Sequence, residues 1–222
     1  MPASAGASNM PRRPASPTAC SRGRPSRRPF RPPDTMNDAA TSQPWLQDRR
    51  IARLLAIWRA ARPKSEQGAP DLLPSRDAID PVQLGPEILP YMVLVDVTDG
   101  ATRFRFRLVG SGLIEHAGLD LTGSYIDDLN PNKEYAEYIN SLYRMARDTR
   151  LPNYSETRYR AASGRVGLTR RILCPLAGDG LTIDKFVGLQ VFETDRGDGD
   201  APTYTYAASF LPGIAKALAD SD

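Results

Sequence analysis

The sequence holds few of the residues that bind metals or form disulfides. Its 222 residues include two cysteines, Cys20 and Cys174, and one histidine, His116. A zinc site of several Cys and His ligands, or a small secreted domain held together by disulfides, needs more of them. The chain also lacks a run of about 18 apolar residues, the length that crosses a bilayer as a helix. We therefore predict no metal site and no contact with a membrane.

An excess of basic over acidic residues is found only at the N-terminus. The net charge is +3, yet residues 1–35 hold seven arginines, eight prolines and one acidic residue, which leaves 22 basic and 25 acidic residues in 36–222. A segment with so few apolar side chains cannot bury enough surface to offset the entropy of ordering, so we expect 1–35 to be a disordered tail. It has no apolar stretch of about 7 to 15 residues, as a secretory signal would, and we expect a cytoplasmic protein.

Two interpretations of this tail remain. It is either a basic arm that binds nucleic-acid phosphates, or coding sequence upstream of a true start at Met36. Arginine outnumbers lysine 25 to 4 over the whole chain, which is typical of a GC-rich genome and favours the second interpretation. Nucleic-acid binding through the tail is kept as an alternative function.

The segment 36–70 contains an amphipathic helix and a linker. In residues 45–61, WLQDRRIARLLAIWRAA, the apolar residues recur at helical spacing. The stripe either packs on the rest of its own domain or pairs with a second copy or a partner helix. In the second case Leu54, Leu55 and Trp58 are the candidate partner-binding residues.

The main domain, 71–197, shows strand patterns on both sides of one longer helix. The helix is predicted at 133–147, and short helical pieces precede it. The predicted strands are 91–97, 103–109, 154–160, 168–176 and 186–193. The last segment, 198–222, is expected to form a loop and a short helix. This order predicts an α+β fold with a mostly antiparallel sheet.

Three stretches of the sequence resemble a PAS domain: LPSRDAIDP (73–81), RFRFRLVGSG (103–112) and GLIEHAGLDLTGSYIDDL (112–129). They are similar to the single-domain PAS family found widely in alphaproteobacteria. The resemblance implies a five-stranded antiparallel sheet with helices on one face, in addition to the N-terminal helix. It also implies a sensory or docking module in bacterial signalling, which binds a small molecule or a partner protein.

Strand alternation within this fold suggests which side chains face a cavity. The candidates for ligand binding are Phe106, Tyr143, Tyr159, Leu173 and Gln190. The alternative is that these five fill the core. Because no kinase phosphoacceptor, cyclase or helix-turn-helix pattern is evident, we expect the protein to act through a signalling partner, such as a kinase, or as a homodimer through 45–61.

The sequence does not support the cofactors of better-known PAS classes. Haem-binding members place an axial histidine on the long helix, whereas 133–147 has none and His116 lies one element earlier. Light-oxygen-voltage photosensors carry a reactive cysteine in a helix resembling Asn-Cys-Arg-Phe-Leu-Gln, which this chain lacks. Neither haem nor flavin is therefore predicted.

An enzyme similar to a small-molecule acyltransferase is the remaining alternative. Glu115 or His116 would serve as its base, and Cys174 with His116 is a conceivable dyad. The pattern Gly110-Ser111-Gly112 is too short for a dinucleotide-binding loop. Because nothing in the sequence positions a nucleophile against a base, we predict that the protein is not an enzyme.

Overall fold

The structure is a computed structural model, and it describes residues 43–64, 71–128, 133–160, 166–194 and 209–219. These residues belong to one compact unit, Ser42–Asp222. Side chains are described throughout these ranges except at 159–160, 166, 194 and 209–211. The predicted tail, 1–35, lies outside the described residues, as do most of the linker and most of the loop expected after 197.

The fold is built on one antiparallel sheet. Its strands are β1 (Met92–Thr98), β2 (Arg103–Val109), β3 (Asn153–Arg160), β4 (Val166–Leu176), β5 (Lys185–Thr194) and β6 (Ser209–Ala217). They lie in the order β2-β1-β5-β4-β3-β6, and every neighbouring pair is antiparallel. The predicted α+β class is confirmed, and the first five strands match their predicted positions within two residues.

The sixth strand corrects the prediction of five. A short helix was expected near the C-terminus, but 209–217 is extended and pairs with β3, which would otherwise be an exposed edge. Pro212 and Gly213 disfavour a helix there, and the register shift in the partner strand between Ser155 and Thr157 lies beside them. Pairing across the sheet therefore overrides the weak helical pattern of the segment.

Within the described ranges, four helices accompany the sheet: α1 (Arg49–Ala61), α2 (Pro81–Leu84), α3 (Ser111–Ala117) and α4 (Lys133–Thr149). Single helical turns occur at Pro44–Leu46, Arg76–Ala78 and Leu89–Tyr91. Helix α1 begins later than predicted because Asp48 caps it, accepting a hydrogen bond from the backbone N–H of Arg50 at 2.9 Å. Asp80 caps α2 in the same way, through the N–H of Val82.

Helices α3 and α4 lie on one face of the sheet, as expected, and the N-terminal helix α1 lies on the other. Asn153 faces α4, since its side-chain amide donates to the carbonyl of Leu142 at 3.3 Å. The next residue, Tyr154, points the other way and contacts the ring of Trp45 just before α1. We call the face under α3 and α4 the inner face and the face under α1 the outer face.

Helix α1 packs its apolar stripe on the outer face. Leu54, Leu55 and Trp58 are at most 1% exposed, and the indole N–H of Trp58 donates to the carbonyl oxygen of Pro175 in β4 at 2.7 Å. The candidate partner-binding residues are therefore occupied by the chain's own sheet, which corrects their assignment to an association surface. An association through α1 would have to use its exposed side, for example Arg53 and Ala56.

Candidate functional site

A cavity of about 100 Å³ lies between the inner face of the sheet, α3 and α4. Most of its walls are apolar. Its lining includes Val93, Phe106, Leu113, Leu121, Ile126, Ala136, Ile139, Leu142, Leu173 and Phe192, together with the polar side chains of Tyr135, Tyr143, Arg171 and Gln190. Apolar walls with a few polar groups are the usual composition of a small-molecule site.

The segment that follows α3 forms part of the cavity wall. The backbone of this segment runs along the edge of β2, where Phe106 donates its N–H to the carbonyl of Ser124 at 3.0 Å and Ile126 donates to Phe104 at 2.9 Å. The attachment brings Leu121 and Ile126 into the cavity wall. The Leu-Asp-Leu-Thr-Gly sequence that carried the resemblance thus forms part of the enclosure.

Four of the five predicted ligand-binding residues line this cavity: Phe106, Tyr143, Leu173 and Gln190. The fifth, Tyr159, belongs to β3, and its side chain is outside the described residues. Their role in binding a ligand stays a prediction.

Arg171 and Tyr135 also line the cavity, and neither was among the predicted ligand-binding residues. Arg171 stands two positions before Leu173 in β4, so strand alternation places both on the same face. An arginine in a strand usually faces water, so alternation alone does not indicate a buried guanidinium. In the structure its side chain is buried under α4, and the residue is 7% exposed.

The guanidinium of Arg171 is held by three neutral oxygens. Its Nε donates to the side-chain oxygen of Gln190 at 3.1 Å, one terminal nitrogen donates to Thr157 Oγ1 at 3.1 Å, and the other donates to the hydroxyl of Tyr135 at 2.7 Å. These bonds join β3, β4, β5 and α4 around one positive charge. The arrangement leaves the cavity with a fixed cationic group in its wall.

Tyr143 provides a second polar group in the wall. Its ring stacks on Phe104, with centroids 5.0 Å apart, and meets Phe186 edge-on at 5.4 Å. Burial raises the pKa of the Tyr143 phenol well above its usual value, and the nearby charge of Arg171 opposes this only in part. The hydroxyl therefore stays protonated at neutral pH and can donate a hydrogen bond.

The conceivable Cys174–His116 dyad is not formed. His116 stacks on Phe192 with ring centroids 3.6 Å apart, and Phe192 lies on the inner face, two residues from Gln190. Cys174 follows the inner-facing Leu173, so it lies on the outer face, where it is fully buried. Burial also raises the pKa of its thiol, which keeps it protonated and unreactive.

Neither a metal-binding cluster nor a membrane-spanning helix occurs within the described ranges. Within them, no three His, Cys, Asp or Glu residues are grouped so that they could hold a metal ion. None of the helices in this part of the chain combines the length and the apolar character needed to span a bilayer.

Comparison with known proteins identifies the family. The model of the PAS domain family matches residues 47–191, which is more than half of the chain. No curated protein matches the sequence significantly.

Among solved structures, the chain is similar to the PAS domain of a protein from Colwellia psychrerythraea, with 17% identity, a TM-score of 0.36, and coverage of 48% of this chain and 87% of that one. It is also similar to a LOV protein from Rhodobacter sphaeroides, with 15% identity, a TM-score of 0.39, and coverage of 67% and 69%. The extent of the family match, together with the antiparallel sheet and its helices, shows that the chain belongs to the PAS domain family.

Proposed function

We propose that this PAS domain is a cytoplasmic sensory module that binds a small molecule in the cavity between α4 and the inner face of the sheet. The observation that carries the proposal is the composition of the cavity wall: an apolar enclosure into which β4, β5 and α4 bring a guanidinium, an amide and two phenols. Such groups orient a ligand, while the apolar walls remove it from water. The catalytic alternative has no comparable support, because Glu115 is exposed and Cys174 lies on the opposite face.

In this proposal the bound state is passed on to a signalling protein, such as a kinase, or to a second copy of the chain. The cavity is lined by α4 and by the four strands β1, β2, β4 and β5, so the binding of a ligand there would change how firmly these elements are held together. A sensor that catalyses no reaction needs such a link between ligand binding and the conformation of its helices and strands.

The experiment that tests the proposal combines native mass spectrometry of the purified protein with a thermal-shift screen against small metabolites. Ala136 lies in α4 on the cavity wall, and Ala136→Leu would fill part of the space. The matched control is Ala56→Leu, the same substitution on the exposed side of α1. We expect a ligand to raise the melting temperature of the parent and of Ala56→Leu, but not of Ala136→Leu. A shift that survives Ala136→Leu would place the ligand elsewhere and refute the proposal.

A further inference from the structure

Arg171 is a buried cation that pairs with no carboxylate of the described residues. A guanidinium stays charged in proteins, and a buried charge destabilises the fold unless an opposite charge and hydrogen bonds compensate it. Here the three hydrogen-bond acceptors are an amide oxygen and two hydroxyls, all of them neutral. None of the ion pairs found within the described ranges includes Arg171.

Arg170, the neighbour of Arg171 in β4, differs from it because its charge is paired with carboxylates. Arg170 points to the outer face, where its guanidinium pairs with Glu156 at 3.2 Å and also with Glu193. Acidic side chains therefore flank β4 on the outer face, whereas the described residues that line the cavity beside Arg171 include no acidic one. Among the described residues, the charge of Arg171 is thus left without an opposite charge at the place where a ligand would lie.

The guanidinium also has hydrogen-bonding capacity to spare. It carries five N–H groups, and its bonds to other described residues use one on each nitrogen, which leaves one on each terminal nitrogen. Two N–H groups on the terminal nitrogens are what a carboxylate uses when it binds arginine in the bidentate form. Tyr143 adds a protonated hydroxyl, for which the described ranges provide no hydrogen-bond partner.

We propose that the cavity binds a short-chain monocarboxylate, with its carboxylate on Arg171 and its alkyl part against the apolar wall formed by Phe106, Ile139 and Leu142. This inference rests on the proposed function and names the chemical class of its ligand. The volume limits the size: a cavity of roughly 150 Å³ holds benzene, so about 100 Å³ suits an acid of about two to four carbons.

The test is isothermal titration calorimetry on the full chain with propionate and with propionamide, which have nearly the same shape and differ in charge. Arg171→Gln removes the cation, and Arg158→Gln is the matched control, since Arg158 is exposed on the adjacent strand β3. Charge-assisted hydrogen bonds lead us to expect propionate binding to weaken at least about tenfold in Arg171→Gln and to stay unchanged in Arg158→Gln. Propionamide should bind the parent more weakly than propionate by a similar factor.

Two results would overturn the inference. One is equal propionate affinity in the parent and in Arg171→Gln. The other is propionamide binding as tightly as propionate, and this comparison needs only the parent protein, so it decides the question even if Arg171→Gln does not fold. If neutral ligands bind and Ala136→Leu blocks them, the carboxylate class fails while the proposed function stands. If neither charged nor neutral small molecules bind, both fail.

Discussion

The substitution Trp58→Phe tests whether α1 belongs to the core of its own domain. The side chain of Trp58 is fully buried, and its N–H donates to the carbonyl of Pro175. Phenylalanine keeps most of the apolar contact but leaves that carbonyl without its partner, which costs about 1 to 3 kcal/mol. The smaller ring also leaves a void, which costs about 1 kcal/mol more. We expect a total loss of about 2 to 4 kcal/mol in the free energy of unfolding.

The assay is urea unfolding followed by circular dichroism, with size-exclusion chromatography on the same samples. For a domain of this size the dependence on urea is about 2 kcal/mol per molar, so the midpoint should fall by about 1 to 2 M. Ala56→Gln, an exposed position on the same helix, is the control and should change the stability by less than about 0.5 kcal/mol. The elution volume should stay the same for both variants.

A different outcome would refute the packing argument. If Trp58→Phe unfolds at the parent's urea concentration but elutes as a smaller species, the helix is bound to a second copy and not to its own sheet. The association role of Leu54, Leu55 and Trp58 would then be restored.

Three further predictions concern the core. Alanine at Gly110 would place its Cβ against the backbone carbonyl oxygens of Pro90 and Leu89, so Gly110→Ala should lower the free energy of unfolding, measured by urea titration, by at least about 2 kcal/mol. The control Gly178→Ala places its Cβ 3.0 Å from the movable side chain of Asp184 and should cost much less. Equal costs for the two variants would contradict this prediction. In a Cys20→Ser background, Cys174 should resist iodoacetamide at pH 8 until urea unfolds the chain, as followed by mass spectrometry, and labelling of the folded protein would show that the thiol is not buried. Burial raises the pKa of the Cys174 thiol in the folded state, so its contribution to stability is full below the pKa of the thiol in the unfolded chain, about 8.5, and declines as the pH rises above that value. The free energy of unfolding measured between pH 8 and 10 should show this decline. Cys174→Ala should make the free energy of unfolding depend less steeply on pH in the same range.

Much of the inner wall of the cavity could be predicted from alternation within single strands. Leu173 and Gln190 line the cavity in keeping with the alternation of side chains along a strand, and Tyr143 lines it because it lies on the apolar stripe of α4. Arg171 has the same alternation as Leu173, yet its chemistry indicates a solvent-exposed position. Its burial depends on the hydroxyl of Tyr135, 36 residues away, and on the Thr157 hydroxyl and Gln190 amide of the two neighbouring strands.

The local pattern of apolar and polar residues was sufficient to predict the positions of α1, α4 and the first five strands, because it shows which side of each helix or strand is buried. It could not predict which part of the protein packs against that buried side. The stripe of α1 was compatible with a partner or with its own sheet, and the bond from Trp58 to Pro175, 117 residues apart, shows that it is the sheet. The segment 209–217 is a strand because the edge of β3 offers it hydrogen bonds, and no pattern within those nine residues contains that information.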